Sequence, residues 1–153
     1  MSRHTVREAL DIYALREAVN QLALELGFSR RERAELLIVA SELCTNIVKY
    51  GVRGSLELQR HVDVVQGVGI VLIAHDVGPA FRDLKMALQD GCDDQGPIDP
   101  GVLMKRGGLG IGLGAVKRLT DLLTVEYSSE GKAVRVVRYL KRPARKSSLP
   151  PGR

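Results

Sequence analysis

The sequence predicts an α/β protein, a two-layer sandwich in which helices cover a mixed, largely antiparallel sheet. Three observations lead to this prediction. Helical periodicity fills residues 12–50, alternation typical of strands follows it, and a continuous apolar stretch at Val68–Ala74 indicates one strand buried in the middle of a sheet. Helices and strands that are segregated along the chain in this way favour a two-layer arrangement.

The first third of the chain predicts two helices. The first residues are compatible with either a short strand or the start of a helix. From Ile12 an apolar residue recurs every three or four positions, and Gly27 is placed to end that helix. Ser29 and Glu32 have the spacing of a capping box, which predicts a second helix to about Tyr50. The expected buried stripe of this second helix consists of Ala34, Leu37, Ile38, Ser41, Cys44 and Val48.

The remainder of the body predicts strands, two shorter helices and one long loop. The expected elements are one or two strands in 56–64, a turn at 67–69, a strand at 68–74, a short helix at 82–90, a helix at 115–123 and strands at 124–128 and 133–140. The loop at 91–107 is rich in glycine, proline and aspartate and has no periodicity. A long loop inside a compact domain is usually functional.

The net charge of +5 belongs to one end of the chain. Residues 141–153 contain five basic residues and no acid, which leaves 18 basic against 18 acidic residues in the rest. We therefore expect a neutral domain at 1–140 and a basic, disordered tail at 141–153. Because the body carries no charge excess, we expect neither nucleic acid nor a membrane among its partners.

Nothing in the sequence predicts secretion or membrane insertion. The N-terminus lacks the apolar region of a signal peptide, and the longest apolar run has seven residues. A membrane-spanning helix needs about 20. The two cysteines have no CxxC spacing, which is typical of reduced thiols. We expect a cytoplasmic protein.

Glu42 and Asn46 lie four residues apart on the second predicted helix, so their side chains share a face. A carboxylate and a carboxamide at this spacing can hold a hard cation, or a water that holds it. Taken alone, such a pair is more often part of a solvated polar stripe opposite the core.

Asp76 ends the apolar strand and is followed at once by the turn sequence Val77–Gly78–Pro79. Ligands bind at strand ends in open sheets, and an ionised carboxylate can accept a hydrogen bond from an exocyclic amine such as that of adenine. Taken alone, an aspartate in this position more often forms an Asx turn.

Residues 107–114 read GGLGIGLG and lead directly into a predicted helix. Glycines permit close approach of a backbone to phosphates, and a helix N-terminus offers free N–H groups. No strand immediately precedes the segment and no Gly-Lys-Ser/Thr follows, so it is neither a Rossmann nor a Walker A loop. By itself the segment is compatible with two roles, phosphate binding and a flexible hinge.

In combination, the three segments resemble the N, G1 and G2 boxes of the GHKL ATPase superfamily, which includes gyrase, histidine kinases and MutL. Asn46 and Asp76 are 30 residues apart, and Asp76 and Gly108 are 32 apart. Residues 40–50 and 107–121 are similar to the RsbT/RsbW family of small kinases that regulate bacterial sigma factors. They are more similar to its stressosome switch kinases than to its anti-sigma factors. The resemblance covers about residues 5–140.

The resemblance implies the Bergerat fold and a set of site residues. Glu42 matches the glutamate that acts as base toward the incoming hydroxyl. Asn46 matches the magnesium-holding asparagine, Asp76 the adenine-reading aspartate and Gly78 the turn glycine beside the base. The phosphate-loop positions are Gly108, Gly110, Gly112 and Leu113.

Some positions have no motif match or depart from it. Lys105 and Arg106 are our candidates for the positive charge at the γ-phosphate because of their place in the loop, not because of a motif. Ala80 stands where a second glycine is usual, and Lys132 where a threonine often follows the last hairpin glycine. The loop at 91–107 is also longer than the resemblance leads us to expect.

The function expected from the resemblance is that of an ATP- and Mg²⁺-dependent serine/threonine protein kinase. Its substrate would be a STAS-domain antagonist or scaffold protein in a bacterial stress-signalling partner switch, and a downstream phosphatase or sigma factor is a further candidate partner. The alternative is an anti-sigma factor that acts mainly by binding and sequestering a sigma factor. Tyr50 and the helix sequence Gly114–Arg118 favour the switch kinase.

Overall fold

The computed structural model describes residues 1–50, 52–89, 92–93, 96–97 and 112–141, with only the backbone described at Tyr50, 92–93 and 96–97. In chain order the elements are β1 (Ser2–Val6), α1 (Ala9–Leu26), α2 (Arg30–Tyr50), β2 (Gly54–Asp63), β3 (Gly67–Asp76), α3 (Leu84–Ala87), β4 (Cys92–Asp93), β5 (Gly96–Pro97), α4 (Leu113–Arg118), β6 (Leu122–Ser128) and β7 (Gly131–Tyr139). The first residues of the chain, for which the sequence allowed either a strand or the start of a helix, form the strand β1.

Five strands make one sheet in the order β1-β2-β3-β7-β6, and β4 and β5 make a separate two-stranded pair. Every neighbouring pair in the five-stranded sheet is antiparallel. Short turns join β2 to β3 and β6 to β7, and such turns permit only antiparallel pairing. The predicted α/β class with helices on a sheet is confirmed, and the described strands contain no parallel pair where a mixed sheet was expected.

The main core lies between the sheet and the two long helices. β3 is the central strand, with β2 on one side and β7 on the other, as its apolar run predicted. Ile70, Leu72 and Ala74 of β3 are buried in this core together with Leu15 of α1 and Leu36 of α2. Since side chains alternate along a strand, the next residue of this face after Ala74 is at the strand's C-terminal end.

The two long helices begin and end at the predicted signals. Gly27 adopts a left-handed conformation with φ 93° and ends α1, and its N–H donates to the carbonyls of Ala23 and Leu24. At the start of α2 the Glu32 N–H donates to Ser29 Oγ at 3.2 Å, and the Ser29 N–H donates to Glu32 Oε2 at 2.8 Å. This reciprocal pair is the capping box.

The predicted buried stripe of α2 was right at Cys44, was partly right at Leu37, which is half-buried against the core, and was wrong at Ala34 and Val48. The buried residues of the helix are Leu36, Val39, Ala40, Glu42, Leu43, Cys44 and Ile47. Ala34 and Val48 are exposed. The reason is that α2 contacts α1, the sheet and α4, so its buried face is wider than a single stripe and includes Glu42.

Two helices are shorter than predicted. The helix expected at 115–123 is α4, which ends at Arg118, and Leu122 and Leu123 belong to β6. Leu122 pairs with Val137 of β7, so strand pairing decides the conformation there against the local helical pattern. The short helix expected at 82–90 is α3, whose first turn is capped by Asp83. No described helix is long and apolar enough to cross a membrane.

The predicted long loop and the predicted basic tail lie almost entirely outside the described residues. Of the loop at 91–107, the backbone is described at 92–93 and 96–97, where β4 and β5 pair. The tail at 142–153 is not described. The domain boundary at residue 140 stays a prediction.

Candidate functional site

Asp76 is the last residue of β3, and its carboxylate is buried on the helix-facing side of the sheet. The Gly78 N–H donates to Asp76 Oδ1 at 2.8 Å, which forms the Asx turn that was the alternative to a ligand-binding role. Lys132 Nζ donates to the same oxygen, also at 2.8 Å. The structure therefore brings the two predicted base-side residues together and adds a cation to them.

Lys132 is the inward-facing residue at the start of β7, directly opposite Asp76 in the strand register. Its side chain is 7% exposed and that of Asp76 is 8% exposed. Lys132 Nζ also donates to the Pro79 carbonyl at 2.8 Å, and it lies 5.3 Å from the centre of the Phe81 ring. The ammonium thus holds the end of β3 and the turn that follows it.

Gly131 explains how the two strands come so close at this point. Its φ is 130°, a conformation that side-chain-bearing residues rarely adopt, and a Cβ there would collide with the Asp76 carbonyl and Val77 Cα. The close approach puts the neighbouring Lys132 beside the Asp76 carboxylate. The sequence analysis noted Lys132 as a departure but missed the ion pair. Alternation along β7 could have indicated it, because Lys132 has the same parity as Val134 and Val136, both buried.

Glu42 is buried in the middle of α2, where a solvated polar face was one of the expectations. The Gly112 N–H donates to Glu42 Oε2 at 3.2 Å, which links α2 to the residue that begins α4. Gly112 has φ 72° and ψ −152°, a conformation that essentially only glycine adopts. The described end of the glycine-rich segment therefore lies against the predicted catalytic carboxylate.

Leu113 and Asn46 take different positions around Glu42. The Leu113 side chain belongs to the hydrophobic core. A contact with a nucleotide would therefore have to use the Leu113 backbone. Asn46 is half-buried one helical turn after Glu42, which corresponds to a rise of about 6 Å along the helix. Among the described residues there is no group of three or more histidine, cysteine or acidic side chains that could hold a metal ion.

Several predicted site residues lie outside the part of the chain that the structure describes. They are Lys105, Arg106, Gly108 and Gly110. The Tyr50 side chain is not described either. Their roles stay predictions.

A second ion pair, between the buried Arg138 and the partly exposed Glu35, connects α2 with β7 and with the residue after α4, and the sequence analysis did not find it. Arg138 Nη2 donates to Glu35 Oε2 at 2.6 Å, and Arg138 Nη1 donates to the Leu119 carbonyl at 2.8 Å. Arg31 Nε lies 3.3 Å from the other Glu35 oxygen. Burial raises the pKa of Glu35, but the hydrogen bonds and charges of Arg138 and Arg31 outweigh it and lower the pKa below its ordinary value.

Cys44 is a free thiol buried in the core, while the Cys92 side chain lies outside the described residues, so the reduced state of the two cysteines stays a prediction. Burial, with a smaller contribution from the Asp11 charge, raises its pKa to about 12. A buried thiol with a raised pKa is a poor nucleophile at neutral pH, so we assign Cys44 a packing role in the core.

Comparison with known proteins identifies the family. Residues 6–138 match the family model of the histidine kinase-like ATPase domain. The chain is also 31% identical over 132 residues to the serine/threonine-protein kinase RsbT of Bacillus subtilis (strain 168), an alignment that covers 86% of this chain and 90% of that protein. The resemblance predicted from the three motifs is confirmed. The chain belongs to the histidine kinase-like (GHKL) ATPase domain family and is an RsbT-like member of it.

Proposed function

We propose that the chain is an ATP-dependent serine/threonine protein kinase whose substrate is a STAS-domain antagonist or scaffold protein. It would act in the cytoplasm, in a partner switch that regulates a sigma factor or a stress response. The kinase class is supported by the name of its relative, serine/threonine-protein kinase RsbT. The observation that carries the proposal is the buried Glu42 carboxylate fixed by the Gly112 N–H at the start of α4.

Phosphoryl transfer to a hydroxyl requires a positioned nucleophile and a group that takes its proton. Glu42 is suited to this because its hydrogen bond to Gly112 fixes the orientation of the carboxylate. In the proposed reaction the serine or threonine oxygen attacks the γ-phosphorus, and the hydroxyl proton passes to Glu42. ADP leaves with the electrons of the broken bond between phosphorus and oxygen.

The other site residues would hold the nucleotide. Asp76 would accept a hydrogen bond from the adenine amine, and Gly78 would keep the turn beside the base open. The glycines at 108, 110 and 112 would approach the phosphates, and Lys105 or Arg106 would neutralise the γ-phosphate. These roles rest on the motif match, and two contacts support them: the Gly78 N–H bound to Asp76 and the Gly112 N–H bound to Glu42.

A magnesium ion fits the oxygen donors of the site. Asn46 offers a carboxamide oxygen one turn from Glu42, and Mg²⁺ usually binds few protein oxygens together with substrate phosphates. When bound, Mg²⁺ neutralises charge on the phosphate oxygens. We expect Asn46→Ala to abolish magnesium-dependent nucleotide binding and to leave the melting temperature without nucleotide unchanged, because the side chain is only half-buried.

The proposal is tested by transfer of labelled phosphate from ATP to candidate STAS-domain proteins. Glu42→Gln keeps the size and hydrogen-bonding capacity of the side chain but removes the base. We expect ATP affinity to be retained and transfer to fall by roughly 10²–10⁴-fold, the usual contribution of a positioned acid–base group. Glu17→Gln, which changes an exposed glutamate of α1, is the matched control and should transfer normally.

Three results would contradict the assignment. No ATP binding to the unchanged protein would exclude a kinase. Undiminished transfer by Glu42→Gln would mean that the proton leaves by another route. ATP binding without transfer to any STAS protein, combined with tight binding to a sigma factor, would favour the anti-sigma alternative.

A further inference from the structure

Lys132 is paired with Asp76 at the candidate base site, and no motif assigns it a role. We propose that Lys132 reads the nucleotide base together with Asp76, by donating a hydrogen bond to the ring nitrogen N1 of adenine. The inference rests on the proposed binding of ATP at this site. It makes Lys132 a residue that determines base specificity.

The distribution of donors around Asp76 leaves one side of the carboxylate for a ligand. Both donors from described residues, the Gly78 N–H and Lys132 Nζ, bind to Oδ1. Each carboxylate oxygen can accept about two hydrogen bonds, so Oδ1 is saturated. The exocyclic amine of adenine therefore has to donate its hydrogen bond to Asp76 Oδ2.

One N–H of the Lys132 ammonium is not used by its two oxygen partners. A lysine ammonium carries three N–H groups, and two of them point to Asp76 Oδ1 and the Pro79 carbonyl. The Phe81 ring, with its centre 5.3 Å from Nζ, is near the outer limit of a cation–π contact. A hydrogen bond to a ligand oxygen or nitrogen acceptor is a stronger use of the third N–H.

The edge of adenine matches this arrangement of acceptor and donor. In adenine the C6 amine is a donor and the adjacent N1 is an acceptor. In the site the Asp76 carboxylate is an acceptor and the Lys132 ammonium beside it is a donor. Because both side chains are more than nine-tenths buried, little water is available to replace a missing hydrogen bond. Loss of either contact should therefore be measurable.

The experiment combines a change in the protein with a change in the ligand. Affinities for ATP and for 1-deaza-ATP, in which N1 is replaced by C–H, are measured for the unchanged protein and for Lys132→Met. Hydrogen bonds to charged groups correspond to roughly a 10- to 100-fold change in affinity. We expect the unchanged protein to bind 1-deaza-ATP weaker than ATP by about this factor. Lys132→Met should bind ATP correspondingly weaker and should no longer distinguish the two nucleotides.

Controls separate base reading from a general effect on the site. The triphosphate of purine riboside lacks the amine but keeps N1, so it should bind weaker than ATP to both the unchanged protein and Lys132→Met. Lys141→Met, which changes an exposed lysine after β7, should keep the preference for ATP over 1-deaza-ATP.

The outcomes distinguish this inference from the proposed function. Failure of the unchanged protein to bind ATP would overturn both. Binding of ATP and 1-deaza-ATP with equal affinity would overturn the role of Lys132 alone, and so would a preference for ATP that persists in Lys132→Met. If Lys132→Met does not fold, the ratio of the two nucleotides on the unchanged protein still decides whether N1 is read.

Discussion

β7 carries a buried cation at each end of its helix-facing side, and the two ends are built alike. Lys132 donates to the Asp76 carboxylate and to the Pro79 carbonyl. Arg138, six residues further on, donates to the Glu35 carboxylate and to the Leu119 carbonyl. Each cation thus binds one carboxylate and one main-chain oxygen, and both cations are buried.

The two ends differ in how the carboxylate is used. Both Glu35 oxygens have a cation partner, Arg31 at Oε1 and Arg138 at Oε2. The two described donors at Asp76 share Oδ1. Both Glu35 oxygens are therefore engaged in ion pairs within the fold, whereas Asp76 Oδ2 has no donor among the described residues. Burial of a charge pair alone does not distinguish a functional from a structural role, and the number of donors at each carboxylate oxygen is the feature in which the two pairs differ.

The largest effect on stability should follow from removal of the structural cation. Arg138→Met leaves the Glu35 charge and the Leu119 carbonyl without their donor. Breaking a fully buried pair costs about 3–5 kcal/mol, and because the Glu35 side chain is 23% exposed we expect about 2–3 kcal/mol. Denaturant unfolding measures this loss. Arg135→Met, on the opposite face of β7, is the matched control. A loss below about 0.5 kcal/mol would mean that the pair does not stabilise the fold.

A change at the other end should act on ligand binding more than on folding. Asp76→Asn keeps an oxygen that can accept from Gly78 and Lys132, so it should destabilise the protein less than Arg138→Met does. The new amide group opposes the adenine amine with a donor, which should weaken ATP binding by about 1–3 kcal/mol. Calorimetric titration with ATP measures the effect, and equal affinities would remove Asp76 from the base site.

The smallest expected effect is a difference in acid sensitivity. The pKa of Glu35 is lowered in the folded state, so Glu35 stabilises the fold above its ordinary pKa. This contribution is lost as the pH falls through the lowered folded value. Glu35→Gln should therefore be less stable than the unchanged protein at neutral pH, and its stability should fall less steeply on acidification. Parallel pH profiles for the two proteins would show that the Glu35 charge contributes nothing.

The parts of the fold that the sequence predicted are those with local signals. Gly27 ends α1 because its left-handed conformation is accessible to glycine, and Ser29 begins α2 because its hydroxyl reaches a main-chain N–H three residues on. The apolar run of β3 required a central position in a sheet. At the site, the bond from the Gly78 N–H to Asp76 is the Asx turn that this position favours by itself, and the bond from the Gly112 N–H to Glu42 was not predicted.

The features that the sequence analysis missed depend on contacts between residues that are far apart in the sequence. Arg138 and Glu35 are 103 residues apart, and no local pattern connects them. The buried face of α2 could not be assigned from one stripe, because α1, the sheet and α4 cover it from three sides. Leu122 belongs to β6 instead of α4 because its strand partner, Val137, lies beyond the next turn.

The interior position of β7 also determines the order in which the chain can fold. In the five-stranded sheet β6 pairs with β7, so the β6–β7 hairpin joins the other strands through the pairing of β7 with β3. That docking joins residues such as Asp76 and Lys132, which are 56 positions apart, and distant pairings of this kind slow folding. Strands β1 to β3 and the two long helices can assemble earlier. In such an intermediate the Asp76 carboxylate would lack its partner, because the ion pair with Lys132 requires the pairing of β7 with β3.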